Sequence, residues 1–283
     1  MTLKADWFAY IHRFRAGEAS LIFDRFPPGC FHRALELGAG DGFQSGMILA
    51  HTESLVSTDY RRPPIDDQTI EVRELAAEDV AVAFDAGEFD LVYSSNMLEH
   101  VADPQAVLKA VKLVLADDGI TIHVMPNQFW KICQLALYVP NLVATAIDDL
   151  IRTRSVGAVV ERLKKAQGSS GSGHDTTEKN NPTVVRRRRW LIERVLLPTP
   201  HGVSATHGEE FKAFSRQRWR TELERAGFDL VAVLNGPASS GYGFGFDSAR
   251  RLLEKRGVGS EYVYVAKKAG KASRHAEAFD EVI

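Results

Sequence analysis

The residues whose types and spacing most clearly indicate chemistry lie in the segment 34–42, which reads ALELGAGDG. Its apolar half predicts a buried strand. Three alternating glycines follow, Gly38, Gly40 and Gly42. Glycine permits a positive φ and lets a ligand approach the backbone closely, because it has no Cβ. The dinucleotide fingerprint G-x-G-x-x-G is not completed, since Phe43 stands where its third glycine would be. Glu36 would oppose a pyrophosphate but can pair with the cationic end of an amino acid.

The pattern E-x-G-x-G-x-G resembles motif I of the class I S-adenosylmethionine (SAM)-dependent methyltransferases. The resemblance implies a Rossmann-like α/β fold with a seven-stranded, mostly parallel sheet whose last strand is antiparallel. It implies SAM as the methyl donor, S-adenosylhomocysteine as the product, and a site over the carboxyl ends of the first strands, where open α/β sheets bind ligands. The residues it implies for the methionine portion are Glu36, Gly38, Ala39, Gly40 and Gly42.

Two further positions match the family's cofactor site. Asp59 ends the second predicted strand, where the family places an acid that accepts both ribose hydroxyls, and a carboxylate can accept two such bonds at once. Its neighbour Tyr60 is assigned to the same site, and the alternative for Asp59 is a solvated acid at a strand end. Ala76 stands where the family usually has Asp, so the adenine contacts fall to the backbone amides of Ala77 and Glu78. A plain acidic turn is the alternative there.

The segment Phe89–Pro104, FDLVYSSNMLEHVADP, is the second strong match. It resembles the F-D-x-V-x-x-x-x-x-L-E-H-x-x-[DN]-P stretch of the type 11 subgroup, whose members act mainly on small molecules and lipid-like acceptors. The resemblance implies that Ser94, Ser95 and Asn96 lie next to the methyl group of the cofactor. The N/D-P-P-Y motif of amine and adenine methyltransferases is not present here, which argues against methylation of DNA.

A hydroxyl acceptor also requires a base, and the candidate catalytic residues are His100, His201 and His207. His100 is alternatively a structural residue of its helix. His201 and His207 belong to PTPHGVSATHGEEF, a loop rich in proline and glycine, and functional residues concentrate on such loops. A surface turn is the alternative. The loop resembles, less specifically, bacterial methyltransferases encoded with surface-polysaccharide genes.

We therefore expect methyl transfer to a small molecule, foremost a hydroxyl of a glycan or of a lipid-linked or nucleotide-linked sugar. One alternative is C- or N-methylation of a quinone-like or natural-product acceptor, and another is a non-catalytic SAM-binding or scaffold protein. No metal is expected, because Cys30 and Cys133 lack metal-ligand spacing. The net charge of −2 argues against a nucleic-acid partner. With neither a secretory h-region nor an apolar run of bilayer length, the sequence predicts a cytoplasmic protein.

Alternating strand and helix patterns over 31–126 predict the βαβ units that would position these residues. The predicted strands are His32–Leu37, Ser54–Thr58, Thr69–Leu75, Phe89–Ser94 and Gly119–Val124, with helices at Gly42–Ala50 and Pro104–Leu115. The pattern resumes with the helices Phe214–Ala226 and Asp247–Arg256 and the strands Asp229–Leu234 and Glu261–Ala266. A single domain over 1–268 with a flexible tail at 269–283 is expected.

A large insertion, about residues 128–212, interrupts this pattern. Gln128–Ile151 is mostly apolar and predicts either a lid over the acceptor pocket or an amphipathic face on a bilayer. Residues 167–181 are rich in Gly, Ser and Asn and predict a disordered loop. Four arginines, Arg186–Arg189, precede the apolar Trp190–Leu197. This run suits an anionic membrane surface or a phosphate on the acceptor, and a solvated face is the alternative.

Overall fold

The architecture is a seven-stranded sheet with helices on both faces. The computed structural model describes residues 6–153, 198, 200–239, 241–244 and 246–282. The strands are β1 (Phe31–Leu37), β2 (Thr52–Asp59), β3 (Ile70–Glu74), β4 (Phe89–Ser95), β5 (Leu115–Pro126), β6 (Phe228–Asn235) and β7 (Glu261–Lys268). Their order is β3-β2-β1-β4-β5-β7-β6. The first five are parallel, and β7 runs antiparallel to β5 and β6. This confirms the predicted Rossmann-like methyltransferase fold.

Eight helices of the described residues surround this sheet. They are α1 (Trp7–Phe23), α2 (Ser45–Leu49), α3 (Val80–Ala83), α4 (Pro104–Val114), α5 (Gln128–Thr153), α6 (His207–Ala213), α7 (Arg216–Ala226) and α8 (Asp247–Lys255). Short 3-10 turns lie at Ala77–Asp79, Leu98–His100 and Ala276–Val282. The sequence did not predict α1, and it predicted β5 to begin at Gly119, after its observed start at Leu115.

The register of the central strands brings their carboxyl ends to one edge. Leu37, the last residue of β1, pairs with Thr58 of β2 on one side and with Ser94 of β4 on the other. From Ala34 to Leu37, β1 is buried between these neighbours on both faces, as strands of parallel sheets usually are. The residues that follow β1, β2 and β4 therefore lie side by side along a single edge, which we call the carboxyl edge.

A hydrophobic cluster covers each face of the sheet. On one face, α4 and α7 contribute Val107, Val111 and Trp219. On the other face, α1 contributes Ile22 and Phe23. Since α1 packs there with its carboxyl-terminal half, its first turns reach the carboxyl edge, where Tyr10 hydrogen-bonds Ser239 at 2.9 Å.

The segment after β7 differs from the flexible tail that the sequence predicts. Phe279 is fully buried and packs edge-on against Phe26, with ring centroids 5.7 Å apart. His275 is also buried and contacts the ring of Phe31 at 4.4 Å. These two ring contacts attach the segment to the same hydrophobic cluster as α1. The sequence did not indicate them, because the segment is rich in polar residues.

The insertion begins with α5, which extends for 26 residues and contains Pro140. Among the described residues, no helix has the length and apolar character that crossing a bilayer requires. The predicted disordered loop at 167–181, the arginine run and the apolar segment Trp190–Leu197 lie outside the described residues. At the end of the insertion α6 is followed by α7, which leads back into β6, so the chain on both sides of the insertion forms one sheet.

Candidate functional site

The glycine loop after β1 combines a closely packed residue with an open one. The amides of Gly38 and Ala39 both donate to the carbonyl of Thr58, at 2.8 and 3.0 Å. A Cβ on Gly38 would lie 2.7 Å from Cγ of Met97, whereas a Cβ on Gly40 would meet nothing within 4 Å. Both residues have a positive φ, which glycine adopts without strain. The loop is therefore packed from below at Gly38 and open above at Gly40, as close approach of a ligand requires.

Asp59 lies directly beside this loop at the end of β2. Its Oδ2 accepts the amide of Gly40 at 3.0 Å, and its Oδ1 faces the amide of Arg61 at 3.5 Å. An ionised carboxylate has about four acceptor positions, so capacity remains for a pair of ligand hydroxyls. Tyr60, next along the chain, is exposed. The ribose role of Asp59 stays a prediction, and its position against Gly40 is the geometry that role needs.

Glu36 is buried beneath the glycine loop. Its Oε2 accepts from the hydroxyls of Ser45 and Ser57, at 2.5 and 2.7 Å. Burial raises the pKa of Glu36, while these two bonds counteract the rise. The carboxylate thus joins β1, β2 and the first turn of α2 from within, and its pairing with the amino end of the cofactor stays a prediction.

The three polar residues at the end of β4 do not share one environment. The Ser94 side chain is buried on one face of the sheet, where its hydroxyl lies 2.7 Å from Nδ1 of His123. Ser95 faces the other way and accepts from Arg15, because successive side chains of a strand point to opposite faces. Asn96 has a left-handed φ of 49° and donates to Oε1 of Glu261 at 2.8 Å. The expected position of these three residues next to the methyl group of the cofactor stays a prediction.

The turn predicted to flank the adenine follows β3. Ala77 and Glu78 begin its 3-10 helix, Ala77–Asp79, and the amide of Asp79 donates to the carbonyl of Ala76. The amide of Leu75 donates to the carbonyl of Asp59 at 2.8 Å. The turn is therefore adjacent to Asp59, and its contact with the adenine stays a prediction.

A buried ionic network from α1, which sequence reasoning missed, supports the carboxyl edge. Glu18 is fully buried and accepts from Arg15, from the Tyr93 hydroxyl at 2.6 Å and from Gln44. Burial alone would raise the pKa of Glu18, but the Arg15 guanidinium and these hydrogen bonds lower it. Burial and the nearby Glu18 raise the pKa of Glu261 well above its usual range. Only the spacing of α1's polar residues could have indicated this network.

The fold brings two of the three candidate catalytic histidines together. His100 ends the 3-10 turn after β4, and the ring of His201 lies 4.6 Å from it in an edge-to-face arrangement. His201 also contacts Trp130 of α5 at 5.3 Å. Burial lowers the pKa of His201 to about 4, with contributions from His100 and Lys131. His201 is therefore neutral at neutral pH.

His207 lies near this pair through a buried ion pair between α5 and α6. Lys131 and Glu210, both fully buried, are 2.6 Å apart, and Nδ1 of His207 lies 3.6 Å from the same Glu210 oxygen. Burial lowers the pKa of Lys131, while Glu210 counteracts the shift. His207 thus lies at the contact of α5 with α6, beside the lysine that influences His201, and the catalytic role of all three histidines stays a prediction.

Comparison with known proteins identifies a family for this arrangement. Residues 4–233 match the family model of a methyltransferase domain. Among curated relatives, a ubiquinone biosynthesis O-methyltransferase of Pseudomonas syringae pv. tomato is 27% identical over 142 residues, 44% of this chain and 61% of the relative. Its counterpart from Actinobacillus pleuropneumoniae is 26% identical over 117 residues, 37% of this chain and 50% of the relative. The match thus spans about half to three-fifths of these relatives.

Solved structures are similar at lower identity. A SAM-dependent methyltransferase of Mesorhizobium loti aligns with 89% of this chain and 99% of its own, at a TM-score of 0.48 and 16% identity. One of Archaeoglobus fulgidus aligns with 93% of this chain and 100% of its own, at a TM-score of 0.47 and 14% identity.

Proposed function

The chain belongs to the class I SAM-dependent methyltransferases, whose domain model it matches over most of its length, and we propose that it methylates a hydroxyl oxygen of a small molecule with an apolar tail. SAM is its cofactor and supplies a methyl group already activated on a sulfonium. The protein then has to place an acceptor in line with that methyl and assist loss of the hydroxyl proton. The proposal concerns the acceptor, which the cofactor site does not specify.

The observation that carries the proposal is the contact between the pair His100–His201 and an apolar helix. His201 contacts both His100 and Trp130, and Trp130 belongs to α5. The large apolar side chains that α5 exposes are Ile132, Val139, Val143, Ile147, Leu150 and Ile151. They recur at helical spacing and therefore share one face, which we call the α5 face. Helix α5 thus carries both the tryptophan that contacts His201 and an exposed surface suited to an apolar tail.

Two acceptor classes fit this arrangement. The relatives named as ubiquinone biosynthesis O-methyltransferases favour a phenolic hydroxyl on a prenylated, quinone-like molecule. The sequence resemblance to enzymes encoded with polysaccharide genes favours a hydroxyl of a lipid-linked sugar, and a role in polysaccharide biosynthesis remains part of that second candidate. We rank the prenylated phenol first, because the match to those relatives covers a larger part of the chain than the loop that resembles the polysaccharide enzymes. C- or N-methylation and a scaffold role have no supporting contact among the described residues.

The experiment supplies SAM with a deuterated methyl group and offers each acceptor in detergent micelles. We expect a product heavier by one labelled methyl, with fragmentation that places it on oxygen. The matched control is the same prenylated phenol with its hydroxyl already methylated, which should gain no label. Label on carbon or nitrogen would contradict O-methylation, and bound but unconsumed SAM with every acceptor would support the scaffold role.

We further propose that the α5 face rests on a membrane surface while the acceptor is bound. Exposed apolar patches of this kind commonly mark interaction sites, and an amphipathic face can bury its apolar side at the boundary of headgroups and acyl chains. The arginine run Arg186–Arg189, outside the described residues, would add attraction to anionic lipids, about 1 kcal/mol per residue.

Sedimentation with vesicles tests this contact. We expect the double variant Val143→Glu/Ile147→Glu to lose most of its binding to anionic vesicles. Val82→Glu is the matched control, because Val82 is an apolar residue 90% exposed on α3, and it should bind as the unchanged protein does. Equal sedimentation of all three proteins would contradict a membrane role for α5 and leave the proposed reaction standing.

A further inference from the structure

We infer that Glu99, His100 and His201 form a site for one divalent transition-metal ion. Each residue offers one ligand atom, and these atoms all lie within 4.8 Å of one another. The sequence predicts no metal site, and His201 lies within the insertion, far along the chain from Glu99 and His100. The fold brings a carboxylate and two imidazoles to the same point, beside the end of β4.

The carboxylate of Glu99 gives the strongest reason for a ligand here. Glu99 is 4% exposed, and neither of its oxygens has a hydrogen-bond partner or contact with solvent. A buried carboxyl group without partners is costly, and such groups in native proteins usually have an explanation, a bound ion among them. Nε2 of His100 lies 4.0 Å from Oε1 of Glu99. That separation is too long for a hydrogen bond but leaves space for an ion between the two atoms.

The loop near the end of the insertion holds His201 at this point. Gly202 has a φ of 65°, and a Cβ there would lie 2.5 Å from the carbonyl oxygen of Glu99. Only glycine allows the loop to approach the Glu99 backbone so closely. The side chain of His100 is about half exposed, so an ion can enter from solvent while Glu99 closes the inner side.

The donor set indicates which ions would bind. One carboxylate and two imidazoles suit Zn²⁺, Mn²⁺ or Fe²⁺, and three protein ligands leave at least one position open. A hydroxyl that occupies an open position is acidified by the ion. This role in acceptor binding rests on the proposed O-methylation, whereas the binding of the ion does not.

The test titrates the metal-free, full-length protein with Co²⁺ in the absence of acceptor. Co²⁺ can replace Zn²⁺ and reports its ligand geometry through visible absorption. We expect one equivalent to bind with an absorption band, and at least tenfold weaker binding by Glu99→Gln and by His201→Ala. Glu99→Gln preserves the shape of the side chain, and unchanged SAM affinity in both variants would establish that they are folded.

The matched control is His32→Ala. His32 forms a histidine–glutamate pair with Glu53 at 2.7 Å, but on the exposed surface of β1 and β2, so its loss should leave Co²⁺ affinity unchanged. Absence of stoichiometric Co²⁺ binding, or equal affinity in all variants, would overturn the site even if a hydroxyl is methylated. Co²⁺ binding that depends on Glu99 and His201 would support the site even if the methylated atom proves not to be oxygen.

Discussion

At the residue scale, neighbouring polar side chains of the carboxyl edge serve opposite purposes. Ser94 is bonded to His123 inside the sheet, while Ser95 meets Arg15 on the other face. Glu36 is buried under two serine hydroxyls, whereas Asp59 remains partly accessible beside Gly40. Residue type alone therefore does not separate the groups that can meet a cofactor from those that stabilise the edge, because burial and strand direction decide between them.

Replacing Asp59 with alanine should weaken SAM binding. Its carboxylate is the hydrogen-bond acceptor beside the open Gly40. Removing a charged acceptor should reduce the free energy of SAM binding by about 1–3 kcal/mol. Titration calorimetry with SAM and with S-adenosylhomocysteine measures it. The control Asp66→Ala removes an exposed acid from the loop that follows β2 and should leave affinity unchanged. Equal affinities of both variants would remove Asp59 from the cofactor site.

His123 should make the fold sensitive to acid. Burial lowers the pKa of His123 to about 3 from an ordinary 6.5, while its nitrogens contact Ser94 and Thr121. Between these values the unfolded chain binds a proton that the folded chain does not. Neutral His123 therefore contributes fully to the free energy of unfolding above pH 6.5. This contribution is lost as the pH falls toward 3, at about 1.4 kcal/mol per pH unit.

Urea unfolding between pH 4.5 and 7.5 checks this dependence. The variant His123→Gln should lose stability at every pH but show a shallower decline below pH 6.5. His32→Gln, whose side chain is 81% exposed in the parent, should decline as steeply as the unchanged protein. Parallel declines for all three proteins would show that His123 is not buried in its neutral form.

At the scale of elements, loops and helices rather than strands give the site its shape. The glycine loop is packed from below by Met97, which precedes the 3-10 turn at Leu98–His100. The first turns of α1 reach the same edge from the other face through Arg15, near Ser95 and Glu261. α1 and the 3-10 turn therefore position the cofactor loop without belonging to its motif.

Gly38→Ala should impair both stability and SAM binding. The new Cβ would meet Met97, and alanine at φ +74° is strained by about 1–2 kcal/mol. Urea unfolding and calorimetry with SAM measure the two losses. Gly46→Ala is the matched control, since nothing lies within 4 Å of its added Cβ in helix α2. That variant should be equally stable or up to about 1 kcal/mol more stable, and a similar loss in both would contradict a special role for Gly38.

At the scale of the whole molecule, segments distant in sequence complete a single core. β7 inserts antiparallel between β5 and β6, so chain from both sides of the insertion shares one sheet. The buried pair Lys131–Glu210 joins α5 to α6, the helices near the two ends of that insertion. The last described residues cover the sheet beside α1 through Phe279. The sheet that carries the site is consequently built from described segments on both sides of the insertion.

Phe279→Ala should destabilise the protein as the loss of a core residue does, by about 3–5 kcal/mol. The control Phe8→Ala removes a ring that is 64% exposed on α1 and should change stability by about 0.5 kcal/mol or less. Denaturant unfolding measures both. If Phe279→Ala lost no more stability than Phe8→Ala, the result would support the flexible tail that the sequence predicts.

The sequence by itself determined the sheet, the glycine loop and the position of Asp59, because hydrophobic periodicity and turn residues act over a few neighbours. It also determined the family, through motifs that are continuous in the chain. Only the tertiary structure decided that Ser94 faces inward, that α1 carries a buried ionic network, and that His201 meets His100 and the unpartnered Glu99. Those contacts join residues far apart in the chain, and side-chain burial, which gives each of them its chemistry, exists only once the chain has folded.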